Sequence, residues 1–214
     1  MKTRDDLVLV GAGGFGREVL WLLREQNELT ERYNILGFVD DSNSSGGRVD
    51  LPILGDTQWL ANYGSKICAV ICVGSPKARK AIYDRIKGNP HILFPTIVAD
   101  DVRRSDSVTF GQGCIICMST ILTINITVND FVIANLDCTV GHDAIIGDFV
   151  TLYPSVNVSG GVRIGDCAEI GTGVNIIQGI NICENTIIGA GAVVIRDITN
   201  TGTYAGIPAR RIDR

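Results

Sequence analysis

The 214-residue sequence lacks any apolar run of the roughly 18 residues that a membrane-spanning helix requires, although its mean hydropathy is +0.23. Its hydrophobic content of 45% must therefore be distributed in short, regular segments. Residues 1–6, four of which are charged, lead into an apolar strand of four residues, and no secretory signal is visible. These absences predict a cytoplasmic protein whose seven cysteines are free thiols.

Aromatic residues are scarce, at 6% of the chain, and the net charge is −4. A chain with this charge and so few rings for base stacking is not typical of nucleic-acid-binding proteins. Lysine is absent from residues 96–214, which carry a net charge of −5, whereas residues 1–95 carry +1. The change in composition at Phe94-Pro95 predicts two domains, residues 1–95 and residues 96–214.

Strand and helix patterns alternate in the first domain. Three short apolar segments predict buried strands, at 7–10, 35–39 and 67–73. Helical patterns follow them, from about Arg17, around Trp59 and from Ser75 to Ile86. This order predicts a small Rossmann-like βαβαβ domain of α/β class with a parallel sheet.

A glycine-rich loop connects the first strand and the first helix. Gly11, Gly13 and Gly16 fit the pattern G-x-G-x-x-G, in which backbone N–H groups and the start of the helix can approach a phosphate. No second mononucleotide-binding half follows, so a dinucleotide cofactor is disfavoured.

The second domain is a six-residue repeat. Fifteen apolar residues recur at every sixth position, namely Phe110, Ile116, Leu122, Val128, Ala134, Val140, Ile146, Leu152, Val158, Ile164, Ile170, Ile176, Ile182, Ile188 and Val194. A helix cannot produce this period, because its apolar stripe recurs at three and four residues. A coil of three short strands, one strand for each repeat, explains it, and residues 110–194 predict nearly five such coils.

This repeat resembles the left-handed parallel β-helix of the hexapeptide-repeat acyltransferases. With the glycine-rich loop 11–16 ahead of it and the tail 204–210 behind it, the whole chain resembles the PglD/NeuD-like sugar O/N-acyltransferases. The resemblance implies a homotrimer with active sites between subunits and acetyl-CoA as acyl donor. It also implies a nucleotide-activated amino sugar or a sialic acid as acceptor.

Acyl transfer needs a base for the acceptor's proton and hydrogen-bond donors for the developing oxyanion. The chain has two histidines, His91 and His142, and His142 matches the catalytic histidine of the family. Asp143 matches the acidic residue that orients that imidazole in the family. The alternative interpretations are a solvated surface histidine and an aspartate that caps its own turn.

The resemblance also implies a set of ligand-binding residues. The substrate-binding candidates are Gly13, Gly14, Phe15, Asp40, Asn135 and Thr151. Thr151 stands where several relatives carry a second histidine. A hydroxyl can form hydrogen bonds, but unlike an imidazole it cannot take up an additional proton at neutral pH. The candidates for binding acetyl-CoA are Gly160, Gly171, Thr172, Gly189, Ala190, Ile207, Pro208 and Arg210. Gly160, one predicted coil after His142, matches a glycine whose N–H faces the thioester carbonyl in the family. No metal site is expected, because Cys114 and Cys117 have no partner pair.

The leading hypothesis is N-acetylation of a nucleotide-linked 4-amino-4,6-dideoxy sugar, with acetyl-CoA as donor and His142 as general base. One alternative is O-acetylation of a sialic acid or another sugar. An alternative of a different class is a trimer that binds a nucleotide sugar without catalysis. The sequence does not distinguish UDP, dTDP and GDP as the nucleotide, or nitrogen from oxygen as the acetylated atom.

Overall fold

The computed structural model describes residues 4–42 and 50–212. The chain divides into two compact units, Met1–Pro95 and Thr96–Arg214. The elements of the first unit are β1 (Asp5–Val10), α1 (Gly14–Thr30), β2 (Tyr33–Val39), β3 (Ile53–Gly55), α2 (Thr57–Ala61), β4 (Ile67–Ile71), α3 (Pro76–Ile86) and β5 (Ile92–Leu93). Within the described residues no helix is both long enough and apolar enough to cross a membrane.

The strands of the first unit form one parallel sheet in the order β3-β2-β1-β4-β5. The chain leaves β1 toward β2 on one side and returns to β4 on the other. The carboxyl ends of β1 and β4 therefore flank a topological switch point, where α/β sheets bind ligands. The Rossmann-like prediction is confirmed, and the sheet also includes β3 and β5, two short edge strands that the sequence did not predict.

The second unit consists of two- and three-residue strands. In chain order these are β6 (Ile97–Val98), β7 (Arg103–Arg104), β8 (Thr109–Phe110), β9 (Ile115–Ile116), β10 (Ile121–Leu122), β11 (Thr127–Val128), β12 (Ile133–Ala134), β13 (Thr139–Val140), β14 (Ile145–Ile146), β15 (Thr151–Leu152), β16 (Asn157–Val158), β17 (Arg163–Ile164), β18 (Glu169–Ile170), β19 (Asn175–Ile176), β20 (Asn181–Ile182), β21 (Ile187–Ile188), β22 (Val193–Val194), β23 (Thr203–Ala205) and β24 (Arg210–Arg211).

These strands form three walls of a left-handed parallel β-helix, as the repeat and the resemblance predict. Wall 1 contains β6, β9, β12, β15, β18, β21 and β23, with β24 antiparallel at its end. Wall 2 contains β7, β10, β13, β16, β19 and β22, and wall 3 contains β8, β11, β14, β17 and β20. We call the turns between them corner 1/2, corner 2/3 and corner 3/1.

Successive coils stack in register, so that from β6 to β19 each strand pairs with the strand three places later in the chain. Thr139 of β13 lies opposite Asn157 of β16, for example, and Asn157 lies opposite Asn175. The second residue of most strands points inward, and together these residues form a continuous buried core of Ile, Val, Leu and Ala side chains. A residue at a given corner therefore contacts the residues one coil before and one coil after it.

The β-helix begins earlier than the apolar period indicates, at β6 rather than at Phe110. Arg104 occupies the six-residue position in the first coil and interrupts the apolar series. The structure tolerates it because Arg104 lies at an open end of its wall, where its side chain is exposed and its guanidinium packs 5.5 Å from the ring centroid of Phe110. Wall 2 has six strands, one for each of six coils, whereas the apolar period predicts nearly five coils.

We expect the two residues of β17 to differ sharply in their contribution to stability. Ile164 points inward and is 2% exposed, whereas its neighbour Arg163 is exposed on the outside. Ile164→Ala should lower the free energy of unfolding by about 2–5 kcal/mol through lost burial and a cavity, and Arg163→Ala by well under half of that. Urea unfolding at one protein concentration measures both. Equal effects would contradict the assignment of the inward face.

Candidate functional site

Asp40 anchors the glycine-rich loop of the first unit. Its Oδ2 accepts a hydrogen bond of 2.7 Å from the backbone N–H of Ala12, and its Oδ1 accepts one of 2.8 Å from the N–H of Ser42. Burial is the largest single influence and raises the pKa of Asp40, but the hydrogen bonds from Ser42 and Ala12 together outweigh it and hold the pKa below its ordinary value. Asp40 is thus an ionised residue that shapes the loop.

Beside this loop lies a cavity of about 180 Å³ at the carboxyl ends of β1, β2 and β4. Its lining includes Gly11, Asp40 and Val73. The candidates Gly13, Gly14 and Phe15 follow Gly11 and form the N-cap and first residues of α1, where no side chain caps the helix. The N–H groups of a first helical turn have no partner within their own helix, so they can receive an anion.

His142 and Asp143 form a pair at corner 2/3, in the turn between β13 and β14. Imidazole Nδ1 lies 2.8 Å from Oδ2 of Asp143, and the two side chains are 53% and 59% exposed. The hydrogen bond from His142 is the largest influence on the pKa of Asp143, which lies below its ordinary value. The pair is therefore an imidazole held by a carboxylate and open to a ligand.

The imidazole of His142 lies against Gly160 of the next coil. A Cβ added at Gly160 would be 2.5 Å from Nε2 and 2.6 Å from Cε1 of His142. Gly160 is buried, and its N–H has no acceptor among the residues that the structure describes. Glycine is needed here for space, since any side chain would displace the imidazole. The predicted neighbours His142, Asp143 and Gly160 are thus brought together.

Apart from Gly160, the acetyl-CoA candidates of the coils lie at a different corner. Gly171 and Thr172 follow β18, and Gly189 and Ala190 follow β21, so all four lie at corner 1/2. The two pairs stack in register, with the N–H of Gly191 donating to the carbonyl of Thr172 at 2.8 Å. Thr172 and Ala190 are exposed, and the corner presents small residues and backbone to solvent.

The tail continues the same corner. Ile207 and Pro208 follow β23, and Ile207 is 78% exposed. Arg210 lies in β24 and lines a cavity of about 180 Å³ together with Tyr204 and Arg211. Two arginines at such a cavity are suited to bind phosphate.

Within one folded chain, Asn135 and Thr151 do not lie at the corner that carries His142. Asn135 is at corner 1/2, half-buried, and its Oδ1 accepts a hydrogen bond of 2.7 Å from the N–H of Leu136. Thr151 is on wall 1 in β15, and 1% of its surface is exposed. Within the coils, a single chain therefore presents predicted site residues at two corners, with wall 2 between them, and does not present Thr151 to a ligand.

One residue at corner 2/3 is absent from the sequence-based set. Asn125, one coil before Asp143, donates from Nδ2 to Oδ1 of Asp143 at 3.2 Å. The signal that could have identified it is its position one full coil before Asp143 in the repeat. The described residues contain no group of three His, Cys, Asp or Glu side chains able to hold a metal ion.

The first unit is an α/β unit with a glycine-rich loop, and the second is a β-helix with an exposed His–Asp pair at one corner. This is the architecture of a hexapeptide-repeat transferase. The PglD N-terminal domain family matches residues 6–86. No curated protein matches the chain. The PglB acetyltransferase domain of Neisseria gonorrhoeae is 30% identical, covers 98% of this chain and 100% of its own, and superposes with a TM-score of 0.87.

Two further solved structures span nearly the whole chain. WeeI from Acinetobacter baumannii is 30% identical over 98% of this chain and 100% of its own, with a TM-score of 0.85. PerB from Caulobacter crescentus, in complex with CoA and GDP-perosamine, is 24% identical over 99% of each chain, with a TM-score of 0.89, and shows the shared fold. The chain belongs to the PglD/NeuD-like family of sugar acetyltransferases.

The close contact between Gly160 and His142 predicts a coupled pair of substitutions. Gly160→Ala should lower the free energy of unfolding by about 1–3 kcal/mol, because its methyl group overlaps the imidazole. In a His142→Ala background the same change should cost clearly less, since the space is vacated. A double-mutant cycle in urea measures the difference. An equal cost in both backgrounds would show that the imidazole does not lie on Gly160.

Proposed function

We propose that this protein transfers the acetyl group of acetyl-CoA to the 4-amino group of a nucleotide-linked 4-amino-4,6-dideoxy sugar. The observation that carries the proposal is the His142–Asp143 pair, whose Nε2 lies on Gly160. The family supports the reaction class, and the N. gonorrhoeae PglB domain has been solved in complex with acetyl coenzyme A. GDP-perosamine in PerB supports a nucleotide-linked amino sugar as the type of acceptor.

His142 serves as the general base in this proposal. Nε2 removes a proton from the acceptor amine as the amine nitrogen attacks the thioester carbonyl. The N–H of Gly160 donates to the oxyanion that develops on the carbonyl oxygen. When the intermediate collapses, the C–S bond breaks and the CoA sulfur leaves with the proton held by the imidazole. Asp143 stabilises the imidazolium between these steps.

Acetyl-CoA is assigned to corner 1/2. The stacked Gly171 and Gly189 leave room for an extended pantetheine arm along the coils, with Thr172 and Ala190 beside it. Ile207 and Pro208 would flank the nucleotide, and Arg210 would pair with its phosphates.

The separation of the two corners favours a site shared between copies of the chain. Apolar side chains remain exposed on wall 2 and at both of its corners, including Ile121 (42%), Ile124 (51%), Leu136 (38%) and Ile177 (44%). Packing this face against a neighbouring copy would cover them and bring His142 of one chain to corner 1/2 of the next. We therefore infer a homotrimer with three equivalent sites, in which Asn135 contributes to the acceptor pocket from the neighbouring chain.

The first unit is proposed to hold the nucleotide of the acceptor. Its cavity lies at the switch point, with Asp40 holding the loop so that the N–H groups of Gly13, Gly14 and Phe15 can receive a diphosphate. We assign no acceptor contact to Thr151, because its side chain is buried in this chain. His142 with Asp143 is then sufficient as the acid–base group.

The test is release of free CoA from acetyl-CoA with UDP-, dTDP- and GDP-linked 4-amino-4,6-dideoxy sugars. We expect turnover with one of them, falling by about 10²-fold or more in His142→Ala, as for loss of a general base. His91→Ala is the matched control, since His91 is the other histidine of the chain and is exposed in the first unit.

Full turnover in His142→Ala would contradict the role of His142. Turnover with a free sialic acid, and with none of the three nucleotide-linked sugars, would contradict the acceptor and favour O-acetylation. Binding of a nucleotide sugar without turnover of any acceptor would favour the non-catalytic trimer.

A further inference from the structure

The carboxylate of Asp143 is held at both of its oxygens. Oδ2 contacts Nδ1 of His142 at 2.8 Å, and Oδ1 accepts the hydrogen bond of 3.2 Å from Nδ2 of Asn125. The hydrogen bond to His142 alone leaves the carboxylate free to rotate about its own side chain. The second hydrogen bond comes from another coil, so it ties the orientation of the carboxylate to the stacking of the β-helix.

Asn125 is itself held in place. Its backbone has a φ of +54°, in the left-handed region that asparagine tolerates well, and its N–H donates to Oγ of Ser107 at 2.8 Å. Oγ of Ser107 in turn lies 2.7 Å from Oγ of Ser105. Ser107, Asn125 and Asp143 are each one coil apart and form one column at corner 2/3.

The hydrogen bonds also determine where the proton of a neutral His142 resides. Donation from His142, and then from Asn125, holds the pKa of Asp143 below its ordinary value, so this carboxylate is ionised at neutral pH and can only accept. Nδ1 must therefore carry the proton, which leaves a lone pair on Nε2. Nε2 is the ring nitrogen that lies on Gly160.

We propose that Asn125 is a positioning residue for the acyl transfer, which acts through Asp143 to keep the lone pair of His142 on Nε2 and aimed at the reacting atoms. This inference rests on the proposed function for its catalytic meaning. Asn125 need not touch the acceptor or acetyl-CoA. Without its amide, Asp143 should turn away from Nδ1 in part of the population, and the imidazole should lose both its tautomer preference and its orientation.

Two substitutions at this position separate the side chain from the backbone. Asn125→Gly removes the amide, and Asn125→Asp replaces it with a carboxylate, while both residues tolerate a positive φ. Asn185 supplies the matched control, because it has a φ of +55° in an equivalent turn at corner 3/1. Asn185→Gly and Asn185→Asp should reproduce any purely structural cost without touching the His–Asp pair.

The direct readout is the ¹⁵N NMR signal of the imidazoles, which reports the tautomer without any acceptor. The chain has only two histidines, and a His91→Ala background leaves His142 alone. We expect the Nδ1–H tautomer to dominate in the parent protein. The fraction of neutral His142 that carries its proton on Nε2 should rise by about threefold or more in Asn125→Gly. It should remain unchanged in both Asn185 variants.

Asn125→Asp tests the same contact by charge. The adjoining turns 123–126 and 159–162 and the flanking strands β13 and β14 contain no titratable side chain. Asp143 is therefore the one titratable group on the elements packed directly against His142. A second carboxylate beside it should stabilise the imidazolium and move the acidic limb of the pH–rate profile to higher pH.

In turnover assays we expect kcat to fall by about tenfold in Asn125→Gly, with KM for acetyl-CoA changed by less than about twofold. An unchanged tautomer in Asn125→Gly together with an unchanged pH–rate profile in Asn125→Asp would overturn the proposal, as would equal effects in the Asn185 variants. A shifted tautomer in a protein that acetylates none of the acceptors would support the positioning role and contradict the proposed function instead.

Discussion

The in-register stacking of each coil on the next is the constraint on which the rest of the second unit depends. Each coil donates backbone hydrogen bonds to the next along all three walls, and inward apolar side chains of successive coils pack on one another. Stability is then approximately a sum over neighbouring coils, so a residue's neighbours in space are those one coil away in the chain. The same rule that builds the core also determines which functional groups meet at a corner.

The chemistry of corner 2/3 follows from that rule. Gly160 can receive the imidazole of His142 because the coil places it directly beside His142 and because it has no side chain. Asn125 reaches Asp143 for the same reason from the other side. The β-helix therefore holds this His–Asp pair rigidly, with contacts from the coils before and after it. It also separates this corner from corner 1/2, where Gly171 and Gly189 lie.

Much of the fold was predictable from the sequence because the repeat is local and regular. The walls follow from the apolar period, and the Rossmann-like unit follows from alternating patterns around the glycine-rich loop. The first coil was missed because Arg104 stands at an inward position, which is possible only at an open end. β3 was missed because three half-buried residues give no distinct pattern.

The site was predictable in part. The contact between His142 and Asp143 joins adjacent residues, and Gly160 lies one coil away, so both follow from spacing. The hydrogen bond from Ala12 to Asp40 spans 28 residues and depends on how β1 and β2 pair, which no local pattern reveals. Thr151 is the outward first residue of β15 and yet is buried, which the repeat does not predict. These are tertiary contacts, and residue type alone does not encode them.

The central claim is that His142, the proposed base, meets corner 1/2, the proposed acetyl-CoA site, only between copies of the chain. Subunit complementation tests this claim most directly. His142→Ala removes the base, and Ala190→Trp blocks the exposed corner 1/2. Each variant alone should be inactive as a homotrimer. After exchange at equal amounts, with mixed assemblies verified by two different affinity tags, about a quarter of the sites should contain both intact corners and activity should return accordingly. Mixed trimers that form but remain inactive would place both halves of the site within one chain and contradict the account.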